Sequence, residues 1–419
     1  MPSLLHPPLP AAHARQAWRQ LYGSARSLAI AEAVESDTRP YLVIARDVRE
    51  LDQLRAELGF FLGGSRPIHA LPDWEVLPYD VFSPHPDIIS ERLAALAELP
   101  ELKSAVLLAA ADTLGQRLAP RGYVAGRTFN LAVGDRLPLD PLRARLVESG
   151  YASVSQVTAP GEFALRGSLF DVYPMGAKTP LRVDLFDDEI EAIREFDPET
   201  QRSGATLQQV RMLPGRELPL DADAVKAFRL RYRKRFEGDP TRSVIYRGVS
   251  DGLAPPGIEF YLPLFFDATD TLLDYLPDTT VVCAASDIAG AVEGAARVIA
   301  ERYEERRHDI ERPVLSPEEL YLTPAELESR LAAFTRIDYD SFKAEHALAS
   351  DGSGGFNFPT MAPHEWRIDL RTEQPLRPLA SFLDEYPGRV LLAADSAGRR
   401  EVLLEMLRAA SLRPAGVGG

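Results

Sequence analysis

At 419 residues with 45% apolar side chains, the chain is long enough for two to four domains and can bury a core in each. Its formal net charge of −15 argues against unassisted, tight, non-specific DNA binding, which draws on a basic surface. The single cysteine, Cys283, excludes a disulfide framework; in its apolar run it reads as a buried inert thiol. The N-terminal MPSLLHPPLPAAHARQAW lacks the charged start and long apolar region of a signal peptide. No apolar run reaches the ~18 residues of a membrane span, so a cytoplasmic location without a membrane partner is expected.

From about 12 to 125, helical and strand patterns alternate. Ala12–Tyr22 has amphipathic helical spacing, Tyr41–Ala45 is a short β-rich run, and Val48–Phe61 returns to helical spacing. Ser83-Pro84 and Pro86 signal a helix over Asp87–Glu98, and Ser104–Ala111 reads as a further buried strand. Strands alternating with helices imply a parallel sheet. From about 128 to 214 Gly-rich turns and β-branched residues dominate, with one helix at Pro141–Glu148, which reads as an α+β insertion. The α/β pattern resumes at 215 with a helix at Ala222–Lys234 and continues through Leu272–Ala284 and the charged helix Ile288–Arg307. The runs Tyr41–Ala45 and Val281–Ala284 each need sheet neighbours, and neither side of the insertion has enough strands alone. Residues 1–127 and 215–345 are therefore expected to form one discontinuous α/β domain around a separately folding 128–214. Residues 346–372, containing Ser350-Asp351-Gly352-Ser353-Gly354-Gly355, read as a linker. Beyond it, 373–419 begins a small α/β unit with a helix at Leu376–Glu385, a strand at Arg389–Ala394 and a helix at Arg399–Ala409. A lone strand cannot complete a sheet, so the chain reads as a fragment of a longer protein.

The most informative stretch is 161–197, GEFALRGSLFDVYPMGAKTPLRVDLFDDEIEAIREFD. Side chains alternate faces along a strand. Leu181, Val183 and Leu185 thus take the core side, leaving Arg182, Asp184 and Phe186 on the other. An exposed aromatic beside an arginine on a rigid sheet has the make-up of a binding hot spot; the alternative is that Phe186 folds under a neighbouring loop.

GEFALRGSLFDVYP and LRVDLFDDEIEAIREFDPETQRS resemble a block shared by the excision-repair helicase UvrB and the transcription-repair coupling factor (Mfd) family, in the small domain with which both bind UvrA. LPDWEVLPYDVFSPHPDIISERL at 71–93 and GIEFYLPLFF at 257–266 extend the resemblance to the second family. It implies a UvrB-like parallel-sheet scaffold with an inserted UvrA-binding domain, and assigns UvrA contact to Arg166, Arg182 and Phe186. Gly167 permits a bend that would bring the Arg166 guanidinium beside the strand carrying Arg182. The departures from UvrB matter equally. Its damage-probing hairpin is missing at 79–90, where Tyr79-Asp80-Val81-Phe82 leads through Ser83-Pro84-His85-Pro86 into a helix. At the position of its phosphate loop, which needs a lysine for the phosphates and a hydroxyl for magnesium, stand Gly23, Ser24, Arg26 and Ser27 without a Gly-Lys-Ser/Thr pair. Its acidic magnesium motif is replaced by Val281–Asp287. No catalytic residue and no cofactor are expected in this chain. In the complete family protein, the resemblance implies an ATP- and magnesium-dependent DNA translocase that also engages RNA polymerase and double-stranded DNA.

Other clusters read as structural. Asp184, Asp187, Asp188, Glu189 and Glu191 do not fit an EF-hand loop, and Asp187-Asp188 sits where a hairpin turns. The seven histidines show no paired zinc spacing, so no metal is expected. The arginines of Glu301–Arg312 lie among glutamates, as on a solvated, ion-paired face; a contact surface for another domain is the lesser option. Three functions compete: recruitment of UvrA to stalled RNA polymerase, a UvrB-type helicase subunit, and a non-catalytic structural or self-association scaffold.

Overall fold

The structure is a computed structural model describing residues 3–346, 354–362 and 374–415. It divides into two compact units, 1–360 and 361–419. The strands, in chain order, begin with β1 (Arg15–Arg19), β2 (Tyr41–Ala45), β3 (Ile68–Ala70), β4 (Val106–Ala110) and the short β5 (Arg117–Leu118). Next come β6 (Phe129–Ala132), β7 (Ala152–Ser153), β8 (Glu162–Arg166), β9 (Leu169–Val172), β10 (Leu181–Phe186), β11 (Glu189–Phe196), β12 (Ser203–Leu207) and β13 (Gln209–Met212). The last are β14 (Asp270–Thr271), β15 (Val281–Ala285), β16 (Thr335–Tyr339) and β17 (Gly355–Asn357).

A seven-stranded sheet, ordered β17-β1-β16-β15-β2-β4-β3, is parallel throughout. Strands β2, β4 and β15 are buried at every position, as expected of parallel strands covered on both faces. Their side chains alternate between two cores. Tyr41, Val43, Ala45, Val106, Leu108 and Cys283 pack with the helices Ala25–Ser36 and Val48–Leu62. Leu42, Ile44, Leu107, Ala109 and Val282 pack on the other face with Leu96, Leu99 and Ile288. Burial pushes the Cys283 thiol well above its usual range.

The chain from 152 to 207 builds a second sheet, ordered β12-β11-β10-β9-β8-β7 and antiparallel except at β7–β8. Its inner face, with Phe163, Phe170, Val183 and Ile193, packs on the helix Leu139–Glu148 through Leu142 and Leu146.

Three local expectations fail. Arg15–Arg19, expected within a helix, is the strand β1. An Ala-containing run with a few apolar positions satisfies either period over so short a window, and the fully buried Trp18 together with pairing to β16 and β17 decides for strand. Most of the expected linker core, 347–353, lies outside the described residues, but Gly355–Asn357 inside the expected linker is β17. Phe356 and Phe358 explain it: they pack on each other, and Phe358 meets the Trp18 ring edge-on at 5.5 Å. Arg389–Ala394 forms no strand and is exposed except at the half-buried Leu392, there being no paired strand among the described residues of its unit.

The family-like block at 71–93 is anchored by a buried charge. Arg92, fully buried, donates to Glu217 Oε1 at 2.7 Å, to the Pro72 carbonyl at 2.5 Å and to Gln116 Oε1 at 3.1 Å. Trp74 Nε1 donates to the other Glu217 oxygen at 3.3 Å, and the guanidinium lies 5.1 Å from the Trp74 ring centroid. Glu217 follows β13, so the network fastens the chain where it returns from the antiparallel sheet.

Candidate functional site

The register of the antiparallel sheet defines its outer face. Ala164, Asp171, Arg182 and Arg194 form one row across β8 to β11, and Arg166, Leu169, Asp184 and Ala192 form the next. Leu181, Val183 and Leu185 are buried as alternation requires, and Phe186 is 77% exposed at the end of β10. It pairs with Glu189 across the Asp187-Asp188 turn, where Asp187 adopts φ 57°. No loop among the described residues covers Phe186.

Arg182 departs from its expected free exposure. Its side chain is only 18% exposed; Nε donates to Asp171 Oδ1 at 2.7 Å and Nη2 to Oδ2 at 2.9 Å. Nη2 also reaches Gln201 Oε1 at 3.2 Å, and the guanidinium sits 4.7 Å from the Phe196 ring centroid. Asp171 is almost fully buried, so the bidentate fork neutralises a desolvated carboxylate. The remaining nitrogen, Nη1, has no partner among the described residues. Arg166 is exposed and its Nη2 donates to the Ser155 carbonyl, but it does not lie beside Arg182. Strand β9 intervenes, and Asp171 occupies that space.

Two residues of this face, Asp171 and Arg194, escaped the sequence reading. Arg194, directly opposite Arg182, donates to Asp184 Oδ2 at 2.7 Å. The available signal was the Asp187-Asp188 turn, which sets the register of the hairpin, but a bulge between Asp184 and Leu185 shifts it by one residue.

The 23–27 turn, expected to be a degenerate phosphate loop, lies in a separate cleft of about 400 Å³ where β1, β2, β15 and β16 end. Gly23, Arg26, Arg46, Ser286, Asp287 and Asp340 line it, so the 23–27 turn and the end of 281–287 face one cleft. Gly23, at φ 55°, closes the turn from β1 into the helix Ala25–Ser36. Carboxylates from the neighbouring helix occupy the loop. Ser24 and Ser27 hydroxyls donate to Glu57 at 3.2 and 2.5 Å, and Arg26 donates to Glu50 at 2.5 Å. Burial acts to raise the Glu57 pKa, but hydrogen bonds from Ser27, Gln53 and Ser24 together hold it below the ordinary carboxylate value. Glu50 is likewise held low, burial being outweighed by hydrogen bonds from Arg46 and the nearby Arg26 charge. The sequence reading named neither glutamate.

Residues 129–218 match the family model of the UvrB interaction domain, and 382–418 match that of the MFD D3 domain. The transcription-repair-coupling factor of Haemophilus influenzae is 39% identical over 93% of this chain and 34% of its own length. That of Escherichia coli is 36% identical over 94% of this chain and 34% of its own, and that of Mycobacterium tuberculosis 35% over 58% and 21%. The chain thus spans about a third of the length of the first two relatives. Among the described residues, no helix is long and apolar enough to cross a membrane. The two domain matches and these near-complete alignments together establish that the chain belongs to the transcription-repair-coupling factor family.

Proposed function

We propose that this chain is the recruitment module of its family, presenting the outer face of β8 to β11 to UvrA and so linking stalled RNA polymerase to excision repair. The observation that carries the proposal is the 77% exposed Phe186, held at the end of a central strand inside the stretch that matches the UvrB interaction domain. Phe186 supplies apolar burial, Arg182 Nη1 a charged donor, and Arg166 a further cation at the margin. Residues 128–214 are the binding domain, inserted into a UvrB-like scaffold of 1–127 and 215–345. Support for that division comes from the seven-stranded sheet, whose strands precede β5 and follow β14, with β7 to β12 in between. In the complete protein, RNA polymerase and double-stranded DNA would be engaged by other regions, with ATP and magnesium driving translocation there.

Phe186→Ala is expected to weaken UvrA binding at least tenfold, an effect of about 1.4 kcal/mol or more, with an unchanged melting temperature. Titration calorimetry against UvrA, paired with a thermal melt, checks both; undiminished affinity would discard the surface.

We infer that the cleft at Gly23 is not an ATPase site. A nucleotide phosphate would have to displace Glu57 from two hydroxyls and approach the ionised Glu50, with no lysine to meet its charge. No micromolar ATP binding is expected by calorimetry with or without magnesium. Measurable binding abolished by Arg26→Ala would reinstate a nucleotide site and the UvrB-type helicase reading.

A further inference from the structure

The helix Ala222–Arg235 carries a local charge opposite to that of the chain. Between Lys226 and Arg235 stand six basic residues, Lys226, Arg229, Arg231, Arg233, Lys234 and Arg235, with no acidic residue among them. In a protein of net charge −15, carboxylate partners are abundant. Two of the six do find them, Arg231 with Asp267 and Arg235 with Glu319. Lys226, Arg229, Arg233 and Lys234 are exposed and form no ion pair among the described residues.

The four lie away from the buried Ala224, Phe228 and Tyr232; Lys226, Arg229 and Arg233 follow one another at the spacings of three and four residues that align side chains, and Lys234 stands beside Arg233. The stripe from Lys226 to Lys234 is about 12 Å long at the helical rise. Two of the arginines are positioned in advance: Arg229 lies 5.9 Å and Arg233 5.5 Å from the Tyr246 ring centroid. Arg229 Nε also donates to the Tyr246 hydroxyl at 3.3 Å. Interaction with the helix dipole accounts for cations in the last turn, where Arg233, Lys234 and Arg235 lie, but not for Lys226 and Arg229.

We propose that this stripe binds the phosphodiester backbone of double-stranded DNA. A linear row of free, partly preorganised cations matches a linear row of phosphates. Leu230 is the one large apolar side chain exposed on the helix, and Tyr246 is buried, so the aromatic anchors of a protein hot spot are missing. The contact is sequence-independent, and its reliance on counterion release confines it to low salt.

Fluorescence anisotropy of a short labelled duplex with the full chain, between about 50 and 200 mM salt, tests this. Four phosphate contacts predict a slope of log affinity against log salt of about −3 to −4. The double variant Lys226→Glu/Lys234→Glu should reduce the slope by about two and the affinity at 50 mM salt about tenfold or more, with only a small fall in melting temperature, because both side chains are exposed and form no ion pair among the described residues and only Lys234 lies in the last helical turn. Phe186→Ala should leave DNA binding untouched, which separates this contact from the UvrA face. A parent that fails to bind the duplex at 50 mM salt, an unaltered slope in the variant, or binding of a polyglutamate peptide in preference to DNA would each overturn the proposal.

Discussion

Arg182→Ala is expected to cost both stability and UvrA affinity, whereas Phe186→Ala costs only affinity. The reason is Asp171, which is almost fully buried and takes both of its strong hydrogen bonds from the Arg182 fork. Removing one partner of such a pair leaves a desolvated charge without compensation, at a cost of about 3–5 kcal/mol for a fully buried pair. With the Arg182 side chain 18% exposed, water can partly replace it, and a loss of about 2–4 kcal/mol is expected. The stack of the guanidinium over Phe196 is lost as well.

This result decides between two roles that one alanine variant at a single temperature would confuse. Affinity must be measured where the variant is still folded, after a urea titration has fixed its stability. Arg182→Lys sharpens the distinction, because lysine retains the charge beside Asp171 but cannot form the planar fork. It should recover part of the stability and little of the UvrA affinity. An alanine variant as stable as the parent would show that Arg182 does not hold Asp171. A destabilised variant that binds UvrA at parental strength would make Arg182 an internal brace only, leaving Phe186 to carry the surface.

Alternation over residues 181–186 was enough to place three apolar side chains inside and Phe186 outside, since the period of two is a local property. The partner of Arg182 was not legible. It is fixed by pairing between β9 and β10, and nothing in either strand read alone specifies Asp171. Across the hairpin, a simple two-residue turn would set Arg182 opposite Ile193, while the bulge at Asp184 and Leu185 sets it opposite Arg194. One residue of slip exchanges an apolar neighbour for a cation. β1 was misread for a related reason: a five-residue strand in the middle of a sheet owes its state to its neighbours more than to its own propensity. Around Gly23, the absence of a lysine was readable, but the hydrogen bonds that Glu57 and Glu50 accept there were not. Those side chains come from a helix beyond the next strand, and only packing brings them to the loop.

The largest stability effect in the chain is expected from Arg92→Ala, about 3–5 kcal/mol. Arg92 and Glu217 are both buried, and each satisfies further groups: Pro72 and Gln116 depend on the guanidinium, Trp74 on the carboxylate. Truncating Arg92 strands the Glu217 charge and leaves the Gln116 oxygen and the Pro72 carbonyl without their donor, each a desolvated polar group. A urea titration should show the transition midpoint falling while the slope of its main transition is retained. The double variant Arg92→Met/Glu217→Leu discriminates between two accounts of the network. Replacing a buried ion pair by apolar side chains of similar volume is often neutral or stabilising, so the double variant should recover much of the loss, with a coupling energy above about 1 kcal/mol. Because the network ties the helix Pro86–Glu98 to the chain leaving β13, it also bears on how the antiparallel sheet proposed to bind UvrA is seated on the parallel sheet. The double variant is therefore expected to unfold between the Arg92→Ala and parental midpoints, because Pro72, Gln116 and Trp74 still lack their partners, and to show faster amide exchange along 213–218, reporting a looser seat. If exchange there is unchanged, the ion pair adds nothing to placement that packing does not already supply; if Arg92→Ala alone unfolds at the parental midpoint, the buried network is not formed in solution.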